Sequence, residues 1–512
     1  MTAGSLRIRP GSARSADRAL IVGTLLAAST VAAVTLATRV TEPSALGTLA
    51  AALGLAFCAY LVASPRYGVT LALIALYLGL LDGYVKLRTG VEATSLTRDV
   101  LLGAVSVGAV TRLIADDRPL RLPPLSMWVA VFAAVVAAQV FNPNTIGLAK
   151  GLAGIRQHLE FVPLFFFGYA VLRSRTTLRN LALIIGVIAA INGIVGLVQV
   201  SMSPDQLATW GPGYAEKVHG TGDVSAREFV DDDGDVRVRP FGLGSDMGFG
   251  GYVGVLALPM LLALLATGFL RHRWLLIGVL GSGTVIAIVT SQSRSCILEA
   301  VVAVVAFAVI AMTGGRVWRA LSALLLIGAL AWVVVPAVSS SADKGTWDRY
   351  GSIAPNRVLD TTYNYRIDDF SRISFYATEF PLGAGIGTVG AASSYGGGPR
   401  PLETRGVDFN GETQFNFLAI EIGVPGLALF LALEVALLWL ALTRVRRIRD
   451  AELRMYLAGV FAPCFAIALG GFGGPSTVAL PNGPWFWLAL GIAAYWLIGE
   501  RLAAPRAARD GP

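Results

Sequence analysis

Five arginines carry the most pointed chemistry in this sequence: Arg156, Arg237, Arg239, Arg294 and Arg366. None belongs to a basic stripe. Four border apolar runs, and Arg366 lies within Tyr363-Asn-Tyr-Arg-Ile-Asp-Asp-Phe370. A guanidinium presents a rigid fork of donors that matches phosphate oxygens two at a time, which an ammonium does not. Arginines gathered on one side of a membrane suit a lipid-linked pyrophosphate. The competing explanation is an interfacial arginine whose stem lies on apolar surface while its head reaches the headgroups. Spacing alone leaves both open.

A second constellation runs from Gly411 to Gly426: Gly411-Glu-Thr-Gln-Phe-Asn-Phe-Leu-Ala-Ile-Glu-Ile-Gly-Val-Pro-Gly426. Glu412 and Glu421 are nine residues apart and need not face one another. Glu421 opens a very apolar run, where an acid is expensive without a role or a partner. The alternative is a carboxylate satisfied by a helix N-terminal dipole, with Val424-Pro-Gly426 as a kink or break. Glu160, Glu299 and Glu434 also fall in apolar runs, where arginines would be natural partners.

Other patterns carry less. His158, His219 and His272 are scattered and form no metal-ligand spacing. Gly383-Ala-Gly-Ile-Gly-Thr388 lacks the spacing and the βαβ setting of a dinucleotide loop and reads as a tight turn entering a surface loop. The acidic run Asp231-Asp-Asp-Gly-Asp235 lacks the alternation of a calcium loop and reads as a solvated turn. Cys58, Cys296 and Cys464 sit in or beside apolar segments and read as small buried hydrophobes.

These residues must be held by elements, and composition says which kind. Of 512 residues 55% are hydrophobic and 14% charged, against about 25% charged in a soluble domain; the mean hydropathy is +0.65. The net charge of +8 does not point to nucleic acid, because the basic residues fall in short clusters between apolar runs. The chain is expected to be an all-α polytopic membrane protein. About fourteen runs suffice for the roughly 20 residues that cross a bilayer, near 19–38, 44–63, 68–85, 99–115, 123–141, 158–173, 180–200, 246–268, 274–291, 296–313, 318–337, 417–442, 455–472 and 484–500. The first follows Arg7, Arg9, Arg14 and Arg18 and ends in Arg39-Val-Thr-Glu-Pro43, which is no cleavage site, so it reads as an uncleaved helix. Residues 274–313 form a nearly unbroken apolar run too long for one crossing. The chain is expected to turn back at Ser291–Ser295 and leave Arg294 at a membrane surface.

With the N-terminus in the cytoplasm, the short basic clusters collect inside, as the positive-inside rule requires, and both termini are cytoplasmic. Two long loops, 201–245 and 338–416, then face outward, and loops of that length are usually functional or disordered. The chain divides into N-terminal transmembrane helices (1–200), an outer loop (201–245), central helices (246–337), a large outer loop (338–416), and C-terminal helices with a cytoplasmic tail (417–512).

Four elements, in order, resemble the O-antigen ligase/polymerase superfamily of bacterial polysaccharide assembly. Arg239-Pro-Phe-Gly242 is similar to an Arg-x-x-Gly lead into a span. Ser293-Arg-Ser295 is similar to a Ser-Arg-Gly/Ser turn between helices. Arg366 followed by Phe380-Pro-Leu-Gly-Ala-Gly-Ile-Gly-Thr388 resembles an Arg…Pro-x-x-Gly-x-Gly loop. Asn416-Phe-Leu…Glu421-Ile-Gly-Val-Pro-Gly426 resembles an Asn-x-Leu…Glu-x-Gly-x-x-Gly signature. Together they cover about 237–426. The resemblance implies glycosyl transfer on the outer face of the cytoplasmic (inner) membrane, without metal or other cofactor. The donor would be a polyprenyl-pyrophosphate-linked oligosaccharide, and the acceptor a lipid-linked glycan (polymerase) or another lipid anchor (ligase). Carried over, Arg239, Arg294 and Arg366 would hold the pyrophosphate, with Arg237 and Arg156 nearby. Ligases often carry His before the signature Asn, where this chain has Phe415. Glu412 and Gln414 are the nearest polar substitutes, Glu412 as base or acceptor-orienting group, and the missing His tilts the reading toward a polymerase. The competing class is a polytopic transporter or flippase of lipid-linked or small solutes. Such folds show internal repeats and short loops, neither of which is evident here. A third class, glycosyltransferases with paired carboxylates in the first outer loop, is disfavoured by the single Glu42 there, although Asp82, Glu92 and Asp99 follow in the next.

Overall fold

A computed structural model of the chain describes residues 67–90, 95–115, 122–145, 147–220, 228–230, 236–270, 273–311, 369–394 and 409–498, with 328 and 407. The elements, numbered in chain order, are α1 (Tyr67–Thr89, with a π turn at Tyr77–Leu81), α2 (Ser95–Ala115), α3 (Ser126–Phe141), α4 (Leu148–Leu159), α5 (Pro163–Val171) and α6 (Arg175–Val200). Then come α7 (Pro204–Ala208), α8 (Pro212–His219), a hairpin of β1 (Glu228–Val230) and β2 (Val236–Val238), α9 (Phe249–Ala266), α10 (Trp274–Thr290) and α11 (Arg294–Ala311). A helix α12 covers 369–379. The described chain ends with α13 (Gln414–Arg444), α14 (Ala451–Gly470) and α15 (Asn482–Ala493, continued by a π turn to Ile498).

Among the described residues six helices are long and apolar enough to cross a membrane: α1, α6, α9, α11, α13 (extended through the turn to Arg447) and α14. The expected span at 99–115 is the helix α2, but Arg98, Asp99 and Arg112 keep it out of that set. The runs at 123–141 and 274–291 form shorter apolar helices. The run at 158–173 is not one helix. Pro163 has no N–H to donate and starts α5 afresh, while α4 ends at Leu159. Spans expected at 19–38, 44–63 and 318–337 lie outside the described residues, as do Cys58, the acidic turn 231–235 and Arg366.

Helix α9 is the hub. It packs on α6, α10, α11 and α14, and α11 packs along α14. Burial is achieved mostly by aliphatic and small residues, because backbones approach closely where Gly replaces a larger side chain. At Gly193 an added Cβ would lie 2.1 Å from the Gly283 carbonyl oxygen, so α6 and α10 touch backbone to backbone. Helix α5 and α15 pack the same way, with Gly168 against Leu488 and Gly491 against Phe165. The loop 201–245 is not irregular throughout. It folds into α7, α8 and the antiparallel hairpin, in which Glu228 pairs with Val238 and Val230 with Val236. This small hairpin is the one departure from an all-α reading among the described residues.

Candidate functional site

The chain turns back where the length argument requires. Helix α10 stops at Thr290, and α11 begins at Arg294. Ser291, Gln292 and Ser293 make the reversal, with Gln292 in the left-handed region at φ 51°. Side chains hold it: Ser291 Oγ donates to the Ile288 carbonyl (2.7 Å) and accepts from the Ser293 N–H (3.3 Å). A hydroxyl chain follows, with Ser293 Oγ and Ser295 Oγ 2.8 Å apart and Ser295 Oγ and Tyr252 Oη 3.2 Å apart. Gly251 of α9 gives the turn its seat, since a Cβ there would lie 2.5 Å from Ser291 Cβ. Arg294 is half-buried at the head of α11.

The segment after Arg239 reaches the same turn: the Gly248 N–H donates to the Pro240 carbonyl (2.9 Å), and a Cβ at Gly248 would lie 3.7 Å from Ser293 Cβ. Arg239 itself lies within electrostatic range of Cys296, two residues beyond Arg294. The segment behind it is bolted to α6 by two buried amides that apolar patterning alone gives no reason to expect. Gln199 Oε1 accepts from the N–H groups of Phe241 (2.9 Å) and Gly242 (2.8 Å), and its Nε2 donates to the Gly242 carbonyl (2.9 Å). Asn192 Oδ1 accepts from the Leu243 N–H (2.8 Å), and Asn192 Nδ2 donates to the carbonyls of Gly79 and Ile188 (both 3.0 Å). Gly79 sits in the π turn of α1, where the regular ladder is broken and a carbonyl is released. Two buried amides in a 26-residue apolar helix are costly unless satisfied, and that cost is the signal that could have found them. Arg237 is half-buried on β2 two residues before Arg239.

The Gly411–Gly426 constellation is a clamp. Helix α13 is capped by Thr413, whose Oγ1 accepts from the Asn416 N–H at 3.0 Å. Asn416 Nδ2 donates to the Asp369 carbonyl (2.7 Å), and Asn410 Nδ2 to Asp369 Oδ1 (2.6 Å). The start of α12, three residues after Arg366, is therefore fixed to the signature. Farther along, α13 breaks at Gly423 (φ 66°, ψ −172°). The Val424 N–H, withdrawn from the helix, donates to the Pro381 carbonyl (3.0 Å), and the Ile420 carbonyl it would have reached accepts from Ala384 (2.6 Å). The segment 381–384 is spliced into the gap. The glycine run is thus a buried loop, not a surface one: Ala384 and Ile386 are fully enclosed, and Gly383, Gly385, Gly387 and Gly390 all have positive φ.

Glu421 is the post of this clamp. It is buried, but it is not a helix N-terminal carboxylate. Its Oε1 accepts from the Val389 N–H (3.0 Å), and its Oε2 accepts from His158 Nε2 (2.7 Å). His158, on α4, lies beside Phe417 with ring centroids 5.1 Å apart. Neighbouring Gln157 accepts from the Ala392 N–H (2.8 Å). The sequence shows no pairing signal across 263 positions.

Glu412 is exposed, with its N–H donated to Asn410 Oδ1 (2.9 Å). Gln414 is buried, and its Oε1 accepts from Thr477 (3.0 Å), so it anchors the turn after α14. The Gln414 N–H donates to the Gly471 carbonyl (2.8 Å), and the Glu412 carbonyl lies about 4 Å from where a Gly474 side chain would begin. Across Gly470 the carboxylate of Glu299 on α11 closes the circuit, with Oε1 2.8 Å from a Cβ placed there. Packing thus links α11, through Glu299 at Gly470, to the Gln414 end of the signature, two residues from Glu412. Arg156 falls elsewhere. It pairs with Asp99 (2.6 Å), beside a cluster in which Arg98 bonds Glu160 and, at 3.3 Å, Asp82. The acids of that second outer loop that are described here, Asp82 and Asp99, are consumed in ion pairs.

A multi-helix membrane protein with an arginine-bearing hairpin turn and a clamped glycine-rich loop is the class these observations define. Residues 276–431 match the family described as O-antigen ligase, a stretch that holds the Arg294 turn, Glu412, Gln414 and the Glu421 clamp. That segment supports membership of the O-antigen ligase/polymerase superfamily. No curated protein and no solved structure matches it.

Proposed function

We propose that this protein polymerises or ligates polyprenyl-pyrophosphate-linked glycans on the outer face of the cytoplasmic membrane, with both termini inside and without a metal ion. The observation that carries the reading is the seating of the segment after Arg239 on the Arg294 turn, where a Cβ at Gly248 would lie 3.7 Å from Ser293 Cβ, on a helix that packs at Gly470 beside the Gln414 end of the signature. Arg239, Arg294 and Arg366, with Arg237 beside them, hold the donor pyrophosphate. Positive charge fixed before reaction stabilises the diphosphate as it leaves, at no cost in reorganisation. The acceptor hydroxyl attacks the anomeric carbon, the carbon–oxygen bond to pyrophosphate breaks, and polyprenyl diphosphate departs. Glu412 takes the hydroxyl proton. Phe415, in place of a histidine base, favours polymerisation over ligation. Arg156, tied to Asp99, is left out of this set.

Purified protein in vesicles, supplied with lipid-linked donor, tests these roles. Arg294→Ala is expected to lower turnover roughly 100- to 1,000-fold and Glu412→Gln about 100-fold or more. Full polymer formation by Glu412→Gln, alongside its loss in Arg294→Ala, would remove Glu412 from the mechanism.

A further inference from the structure

Phe415 stands where the resemblance places a histidine, and it does not stand alone. Its ring meets Phe472 at 5.0 Å and Phe370 at 5.5 Å, and Phe370 and Phe472 stack at 5.3 Å with only 12° between their planes. Three separate segments supply them: the start of α12, the signature, and the turn after α14. Phe415 is buried, but Phe370 is 39% and Phe472 46% exposed. Two glycines follow Phe472 in this turn. Side chains built at Gly473 and Gly474 would meet nothing closer than 3.5 Å and 4.0 Å, and the atom nearest Gly474 is the Glu412 carbonyl. An apolar aromatic surface is thus left partly open, and the exposed Glu412, whose N–H donates to Asn410 Oδ1 (2.9 Å), lies three residues before Phe415.

Aromatic faces flanked by a carboxylate and an amide fit a pyranose ring. One face of such a ring carries mainly C–H bonds and packs on an aromatic, while its edge carries hydroxyls that need acceptors. We propose that Phe370, Phe415 and Phe472 form the acceptor subsite, a platform on which the acceptor's terminal sugar stacks with one hydroxyl directed at Glu412. This rests on the glycosyl-transfer reading above. It replaces the missing histidine with a division of labour, in which the aromatics position the sugar and the carboxylate takes the proton.

Saturation-transfer NMR on the full chain in nanodiscs, with a panel of methyl pyranosides, tests the platform without requiring turnover. Transfer is expected to the C–H protons of one sugar face, to fall at least about fivefold in Phe472→Ala, and to return in Phe472→Trp. Turnover with lipid-linked donor and a soluble oligosaccharide acceptor supplies the second readout. Phe472→Ala should raise the acceptor KM about tenfold and leave the donor KM unchanged. Absent saturation transfer, or transfer equal in wild type and Phe472→Ala, overturns the proposal, as does an equal rise in both KM values. Sugar binding without any glycosidic product in the wild type would retain the platform and refute glycosyl transfer. Product formation indifferent to Phe472 would do the reverse.

Discussion

The buried pair of His158 and Glu421 sets what single residues do here. Glu421 has two oxygens and two donors, so each change has a separable consequence. Glu421→Gln keeps the shape but leaves one acceptor for two donors, and about 1–3 kcal/mol of stability should be lost. Glu421→Ala strands both the Val389 N–H and the imidazole and should cost more, about 3–5 kcal/mol. Thermal unfolding in detergent checks the order, and equal midpoints for the two variants would show that the clamp is not held by this carboxylate. At this scale the sequence was least legible. Composition marks an acid in an apolar run as expensive, but the partner's identity depends on how α4 lies against α13. Arginines were natural candidates for Glu160, Glu299 and Glu434, and among the described residues only Glu160 pairs with one, Arg98.

Elements were easier to anticipate, for reasons of length. A run of about 40 apolar residues cannot cross once, so the reversal at Ser291–Ser293 followed from bilayer thickness. The break near Val424-Pro-Gly426 was similarly marked by proline chemistry, though it falls at Gly423. What patterning could not supply was the use of the break, because hydropathy does not say which loop enters it. Gly423→Ala should be severe. The conformation is one that only glycine adopts readily, and a Cβ would lie 2.4 Å from the Gly383 nitrogen. A loss of about 3 kcal/mol or more is expected, together with faster proteolysis within 381–392. A variant as stable and as protected as wild type would contradict the splice. The single span expected at 158–173 failed because Pro163 and the Glu160–Arg98 pair outweigh mean hydropathy.

At the scale of the whole molecule, helices bring together segments that the sequence keeps far apart. Arg239 belongs to a loop bolted to α6, Arg294 to the hairpin turn on α9, and Glu412 to the segment that leads into α13 beside the turn after α14. The class of protein was readable from apolar content and the order of four weak motifs, whereas their convergence required the packing of α9 with α6, α11 and α14. A carrier and a transferase share such a scaffold and differ in what they leave behind. The direct measurement is purified protein in sealed vesicles with polyprenyl-pyrophosphate-linked oligosaccharide, followed by mass spectrometry. The account predicts a longer or transferred glycan with one polyprenyl diphosphate released per bond formed. Donor that crosses the bilayer with no new glycosidic bond would contradict it.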